Sequence, residues 1–174
     1  MTTPTTDQLE AVRARLLDPA IHLPSGLGAD PESACTMAQV NFALTGKLAD
    51  GPHRCVSEVV RRWVIRIQDA LPDDIRNSEG WRHAAVGIAG SAGSEADESA
   101  RVALLLTWMW ERLGDEAVMA AVPTPVRGVW QAMLTEKTPT AAYAVANASA
   151  AAYWQRAAAP GMLARLVACR AVSA

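Results

Sequence analysis

The segment from Val56 to Leu71 constrains the fold more than any other part of the chain. Its apolar residues recur at spacings of three, four and seven, which places them on one face of an α-helix. Pro72 follows, and the residue before a proline disfavours α geometry, so the helix is expected to end there. The stripe consists of Val56, Val59, Val60, Trp63, Val64, Ile67 and Leu71. Such a face must be buried against other elements, which favours a helical fold.

The composition extends this prediction to the whole chain. At 174 residues the chain suits a single helical domain over 1–174 that is long enough to bury a core. Hydrophobic residues make up 51%, but many are Ala, a strong helix former and a weak core filler. No segment alternates apolar and polar residues as a half-buried strand does. The fold class predicted is therefore all-α, with Trp supplying much of the bulky packing.

Helix-capping signals predict the first elements. Thr5 and Gln8 have the spacing of a capping box, so residues 1–30 are expected to hold a helix ending near Leu17 and then a loop. Asp30 and Pro31 read as an N-cap followed by proline at the first helical position. The second helix should start there and end at Gly46. Further helix starts are predicted at Ser78, Glu95, Thr124, Thr138 and after Pro160.

A helix over about 95–112 is expected to lie at the centre of the fold. Its middle, Val102–Trp110, is apolar on nearly every side, and helices of that kind are normally buried. The prediction is thus a single-domain bundle of seven or eight helices around a buried, Trp-rich central helix. The Ala-rich helices of 138–174 either pack closely on this core or self-associate.

Charge and motif content exclude several classes of protein. The net charge of −2 and the pI of about 5.9 provide no basic field for nucleic acid. No apolar run approaches the ~20 residues of a membrane span, and the N-terminus lacks the features of a signal peptide. Three Cys without metal-type spacing fit reduced thiols in the cytoplasm. No nucleotide- or metal-binding motif is present, so no cofactor is predicted.

Clustered arginines are the first candidate site. Arg62 lies four residues after Glu58 and Arg66 lies three residues before Asp69, so both can form ordinary intrahelical pairs. Arg61 has no such partner in its helix by this interpretation. Alternatively, the guanidinium groups bind the phosphate or carboxylate of a small anion. The candidate ligand-binding arginines are Arg61, Arg62, Arg66, Arg76 and Arg82.

Ile65 is a candidate interface residue. It lies one turn beyond Arg61, on the face opposite the apolar stripe, where an isolated apolar side chain suggests contact with another subunit or a late helix. Trp154 in the Ala-rich part is a second candidate. Together with the close-packing Ala-rich helix, these residues suggest a homo-oligomer.

Buried amides form another candidate group. Asn41 shares a helix side with apolar residues and needs hydrogen-bond partners if it is buried. Tyr143 and Asn147 share a face with Trp154. These residues either line a pocket for a planar polar ligand such as a nucleobase or make ordinary interhelical hydrogen bonds.

Asp73, Asp74, Glu79 and His83 are weak candidates for a metal or acid–base site. Glu79 and His83 are four residues apart and should share a helix face. Helix rules also account for the carboxylates, because acidic residues stabilise helix N-termini. The sequence therefore assigns no metal ligand and no catalytic residue.

Residues 33–113 contain four segments in a fixed order: ACTMAQVNFALTGKL, RRWVIRIQDALPDDIRNS, WRHAAVGIAGS and LLLTWMWERL. In that order they resemble small uncharacterised bacterial or phage-encoded helical proteins with Ala-rich C-terminal parts. The resemblance implies a helical, cytosolic protein. It attaches no activity, so no functional residue is carried over.

Three hypotheses of function follow. The first is a non-enzymatic helical binding or assembly module that forms a homo-oligomer. The alternative is a protein that binds a nucleotide or another small anion through the arginines, as a sensor or sponge does. The third is a metal-dependent hydrolase using the acidic residues and His83.

Overall fold

The computed structural model describes residues 3–122, 124–138 and 140–141. This part of the chain is mainly helical, and the predicted all-α class is confirmed. Its helices are α1 (Thr6–Leu17), α2 (Thr36–Thr45), α3 (Glu58–Ala70), α4 (Asp73–Arg76), α5 (Glu79–Val86), α6 (Glu95–Leu113), α7 (Glu116–Ala121) and α8 (Thr124–Glu136). Two short antiparallel strands, β1 (Gly28–Asp30) and β2 (Ser33–Ala34), precede α2. Within the described ranges, no helix has the length and apolar character required to cross a membrane.

Several predicted helix boundaries are confirmed by their caps. The Thr5 Oγ1 accepts the Gln8 amide at 3.2 Å, while the Gln8 side chain accepts the Thr5 amide at 3.0 Å. Ser78 caps α5 and Ser94 caps α6 through their side-chain oxygens. Each interaction joins residues three apart, so the local sequence is enough to predict it.

The predicted start of the second helix at Asp30 and Pro31 is wrong. These residues lie at the turn between β1 and β2, and α2 begins at Thr36 with Cys35 as its N-cap. Proline suits the first positions of turns as well as helices, so the local signal could not separate the two. The predicted end is confirmed: Gly46 adopts a left-handed conformation with φ 75° and closes α2.

Gly28 is the glycine on which the strand pair depends. Its φ is +87°, and an added Cβ would lie 2.2 Å from the Ser33 carbonyl oxygen. Gly28→Ala is therefore expected to cost about 2–4 kcal/mol of unfolding free energy, from backbone strain plus displacement of β2. Gly26→Ala is the matched control, because Gly26 has φ +71° but open space around it. That variant should lose only about 1–2 kcal/mol in urea denaturation. Equal losses would contradict the steric argument.

Two apolar clusters organise the described residues. The main cluster joins α1, α2, α3 and α5 with Trp108 of α6 and the residues between them, and it includes the fully buried Trp81. The second cluster consists of Leu113, Val122, Trp130 and Met133. Met109 of α6 packs against both clusters, so this helix links them.

The prediction that α6 is buried at the centre is not met by the described residues. Only Arg101, Trp108 and Leu113 of its 19 residues are buried, and Val102 is exposed. The helix lies beside α3, where Trp63 and Trp108 meet edge to face with ring centroids 6.3 Å apart. An apolar composition on all sides therefore does not by itself place a helix in the core.

Glu98 of α6 fixes the start of α3. Its Oε2 accepts the Ser57 hydroxyl at 2.7 Å and the Val59 amide at 3.1 Å. Its Oε1 accepts from the buried Arg101 at 2.5 Å. A carboxylate at a helix N-terminus satisfies free amides and interacts well with the helix dipole. The contact therefore anchors the start of α3 to α6.

Candidate functional site

A cleft of about 480 Å³ lies between the segment that follows α1 and the α4–α5 pair. We call it the polar cleft. Its apolar wall consists of Leu17, Pro19, Ala20 and Ile21. Its polar wall consists of His22, Asp73, Asn77, Glu79, Arg82 and His83. Three of the four weak candidates from the sequence, Asp73, Glu79 and His83, thus come together here.

Asn77 joins the polar wall of the cleft to the segment that follows α1. Its side-chain oxygen accepts the Leu23 amide at 2.8 Å, and its side-chain nitrogen donates to the Leu23 carbonyl at 3.3 Å. Arg76 adds a hydrogen bond from Nε to the same carbonyl at 3.1 Å. The segment after α1 is therefore held against α4 by side chains more than fifty residues further along the chain.

The Arg82 guanidinium holds the apolar wall in place by hydrogen bonds to main-chain carbonyls in and beside it. Nε donates to the Asn77 carbonyl, one terminal nitrogen donates to Leu16 and Asp18, and the other donates to Ile21 and the Asn77 side chain. An arginine has five N–H donors, and all five are used here. Burial lowers the pKa of the Arg82 guanidinium, and the Asp18 carboxylate opposes that shift. Arg82 is thus a structural residue.

Arg76 is also committed to structural contacts. It is buried, and its three nitrogens donate to the Leu23 and Leu71 carbonyls and to Asp73 Oδ1, the last at 3.0 Å. Its side chain does not line the polar cleft. The contacts of Arg76 and Arg82 account for both residues without an anionic ligand.

Two imidazole–carboxylate pairs are the exposed polar groups of the cleft. His22 Nε2 lies 2.9 Å from Asp73 Oδ1, and His83 Nε2 lies 3.4 Å from Glu79 Oε1. The hydrogen bond from His22, supported by Arg76, lowers the pKa of the Asp73 carboxyl. The His83–Glu79 pair confirms the predicted shared helix face. These groups are open to solvent and can reach an incoming molecule.

Arg61, Arg62 and Arg66 lie outside the polar cleft. Arg61 binds both oxygens of Glu58 at 2.7 Å and the Asp50 carbonyl at 3.0 Å. The interpretation that Arg61 lacks a partner in its own helix is wrong, because Glu58 lies one turn before it. Arg62 also contacts Glu58, at 2.6 Å, as its spacing predicts.

Arg66 does not form the predicted pair with Asp69. It is exposed on α3, and no ion pair among the described residues joins the two. Asp69 instead accepts the Gly26 amide at 2.7 Å. The partner of Asp69 is therefore a main-chain amide from the loop before β1, whereas the helix spacing predicted Arg66.

Glu58 gives this cluster a measurable pH dependence. Hydrogen bonds from Arg61, and then from Arg62, lower the pKa of Glu58 from 4.5 to about 2. Stability from the pairing is therefore complete above pH 4.5 and is lost as the pH falls towards 2. Because the carboxylate is 42% exposed, we expect only about 1 kcal/mol after solvent screening.

Glu58→Gln should flatten this part of the acid unfolding curve in urea denaturation between pH 5 and pH 2. Arg61→Met removes the stronger of the two donors and should flatten the same part to a smaller extent, because Arg62 still donates to Glu58. A Glu58→Gln protein that keeps the wild-type slope over this range would contradict the assignment.

Other predicted site residues have structural surroundings. Asn41 is 5% exposed, and its amide nitrogen donates to the Ala49 and Gly51 carbonyls at 2.7 and 3.0 Å. Ile65 is partly buried and packs against the main apolar cluster, which accounts for an apolar residue at this position without a partner subunit. Tyr143, Asn147 and Trp154 lie outside the described residues.

The polar cleft offers no metal site in the part of the chain that the structure describes. No three His, Cys, Asp or Glu side chains within those ranges are grouped to hold an ion. Asp74 does not line the cleft. The carboxylates of the cleft are instead paired with imidazole or guanidinium groups.

The Cys55 thiol forms a closed pair with His53. The His53 Nδ1 accepts the Cys55 amide at 3.3 Å, so the same nitrogen also accepts the thiol, whose sulfur lies 3.0 Å away. Burial, together with Arg54, lowers the pKa of His53. Cys55 is 2% exposed, and burial raises the pKa of the other described thiol, Cys35. Both thiols are buried, as free structural cysteines commonly are.

Sequence reasoning missed His22 and Asn77 as cleft residues. His22 lies in a loop rich in Pro and Gly, and Asn77 lies between two short helices. Neither position belongs to a periodic pattern. The only local signal was a polar side chain outside a long helix, which is common on protein surfaces.

The described part of the chain is thus a helical protein with a cleft. In this cleft an apolar wall faces histidines that are paired with carboxylates. Comparison with protein-family models, curated sequences and solved structures finds no match for it.

Proposed function

We propose that the protein is a helical binding module that takes a small molecule in the polar cleft. The observation that carries this proposal is convergence: His22, Asp73, Glu79 and His83 come from three separate elements and meet across one opening. Ligand sites generally combine an apolar surface with a few well-placed polar groups. The cleft has both.

The size of the polar cleft supports the proposal. Small-molecule sites usually occupy about 300–1,000 Å³, and this cleft has about 480 Å³. Its wall is held by the five hydrogen bonds of Arg82 and the side chain of Asn77. A ligand would therefore meet a preformed surface, which reduces the entropy lost on binding.

The proposal places the ligand site away from Arg61, Arg62 and Arg66, and it gives Arg82 a structural role in the wall of the cleft. Arg61 and Arg82 each make several structural hydrogen bonds, and Arg62 shares Glu58 with Arg61. A nucleotide sensor built on these groups would have to break those contacts. Self-assembly stays a prediction from the sequence, for which sedimentation velocity is the direct measurement.

A thermal-shift panel tests the proposal. The panel contains small primary amines, guanidines, carboxylates, phosphates and neutral nucleosides, applied to the full chain. A ligand present at 100 times its Kd stabilises the protein by about 2.7 kcal/mol, which raises Tm by roughly 5–10 °C for a chain of this size. The shift should be lost in His83→Ala and Glu79→Ala, whose side chains reach into the cleft.

Glu111→Ala is the matched control for this experiment. Glu111 is an exposed glutamate of α6 and does not line the cleft, so its variant should keep the full shift. The proposal fails if no member of the panel raises Tm. It also fails if the shift survives in both cleft variants.

A further inference from the structure

We infer that the ligand of the polar cleft carries a protonated amine or a guanidinium group, bound by Asp73 and Glu79. This inference rests on the proposed function, and it assigns the chemical class of the ligand. It reverses the charge expected from the arginines of the sequence.

The cleft has no guanidinium donor to offer an anion. Arg82 is the only arginine among the cleft-lining residues, and its five N–H groups already donate to main-chain carbonyls and to Asn77. Bidentate recognition of a phosphate or carboxylate needs two free N–H groups on one face. An anion bound through the Arg82 guanidinium would therefore have to break contacts that hold the wall of the cleft.

The cleft does offer exposed acceptors. Asp73 is 62% exposed, and His22, Arg76 and Asn77 all contact its Oδ1, so Oδ2 can accept from an incoming donor. Glu79 is 89% exposed, and its contact with His83 is long at 3.4 Å. Carboxylate oxygens with free lone pairs are the preferred partners of ammonium and guanidinium groups.

The charge balance around the opening points the same way. Among the lining residues and their immediate neighbours in sequence there are four carboxylates, on Asp18, Asp73, Asp74 and Glu79. Two guanidinium groups oppose them, on Arg76 and Arg82, and both are buried. Apart from the imidazoles of His22 and His83, the exposed charge is therefore negative, which favours a cation over an anion.

The apolar wall sets the rest of the ligand. Leu17, Pro19, Ala20 and Ile21 face the carboxylates across the opening. A cation alone would leave this surface wet, whereas an amine with an alkyl or aryl body would cover it. The class that fits both walls is a small amine or guanidine with a short apolar body.

An isosteric series tests the charge directly. The probes are 4-phenylbutylamine, 4-phenylbutanol and 4-phenylbutyrate, which share one body and differ in charge at neutral pH. Binding to the full chain is followed by NMR of the imidazole ring protons. The chain has three histidines. His22 and His83 line the cleft, whereas His53 does not and serves as an internal reference.

The amine is expected to move the His22 and His83 signals, leave His53 in place and bind at least tenfold more tightly than the alcohol or the acid. Glu79→Gln should weaken amine binding at least threefold, whereas the control Glu111→Gln should leave it unchanged. Equal or tighter binding of the alcohol or the acid at the same signals overturns the cation inference and leaves the proposed function intact. Failure of all three probes, together with a thermal-shift panel without any response, overturns both.

Discussion

Replacing Arg82 with Ala is expected to lower the free energy of unfolding by about 3–5 kcal/mol, a large part of the stability of a domain this size. The guanidinium donates five hydrogen bonds, and its bonds to the Leu16 and Ile21 carbonyls are buried. Each buried acceptor left without a partner costs about 1–3 kcal/mol. Urea denaturation followed by tryptophan fluorescence measures the loss.

Arg82→Lys separates the geometry of the side chain from its charge. A lysine keeps the positive charge but has three donors on one atom, so it cannot reach acceptors on both walls. We expect it to recover less than half of the loss. Arg62→Ala is the control, because Arg62 is 72% exposed and shares its carboxylate partner with Arg61. An Arg82→Ala protein no less stable than Arg62→Ala would refute the structural role.

Trp81→Ala is the second substitution with a large expected effect, again about 3–5 kcal/mol. Trp81 is fully buried in the main cluster, and its indole N–H donates to the Thr36 hydroxyl at 2.9 Å. The Thr36 amide in turn donates to the Gln68 side chain at 2.9 Å. One side chain therefore links α5 to α2 and, through it, to α3.

Trp81→Phe distinguishes volume from hydrogen bonding at this position. It keeps an aromatic ring and loses the indole donor, so we expect a loss of about 1–3 kcal/mol. Leu9→Ala, at an exposed position of α1, is the control and should change stability by about 0.5 kcal/mol or less. If both Trp81 variants lost the same free energy of unfolding, the packing of the large ring would not be the main contribution of Trp81 to stability.

The parts of this fold that the sequence predicts are those determined by residues three or four apart. Examples are the capping box of Thr5 and Gln8, the N-cap at Ser78 and the Arg62–Glu58 ion pair. The Arg61–Glu58 pair has the same local character and was available from its spacing of three. Missing it left Arg61 as an apparent functional residue.

The rest depends on contacts that no local pattern contains. Asp30 and Pro31 fit a helix start and a turn equally well, and only the pairing of β1 with β2 decides between them. The acceptors of Arg82 lie mostly more than sixty residues away. The polar cleft combines His22 with Asp73 across fifty-one positions. These sequence separations explain why the sequence analysis named the acidic residues of the cleft but not the residues of the opposite wall.

The Arg82 contacts also impose an order on folding. The Leu16 carbonyl accepts a hydrogen bond from Arg82, which is synthesised sixty-six residues later. During translation, α1 can form its own hydrogen bonds. The loop after it cannot be held in its final conformation until α5, which carries Arg82, has been synthesised. Closing so long a loop also costs chain entropy, which grows with the length of the loop. The wall of the cleft is therefore expected to form late, and a ribosome stalled before residue 82 would present it still open.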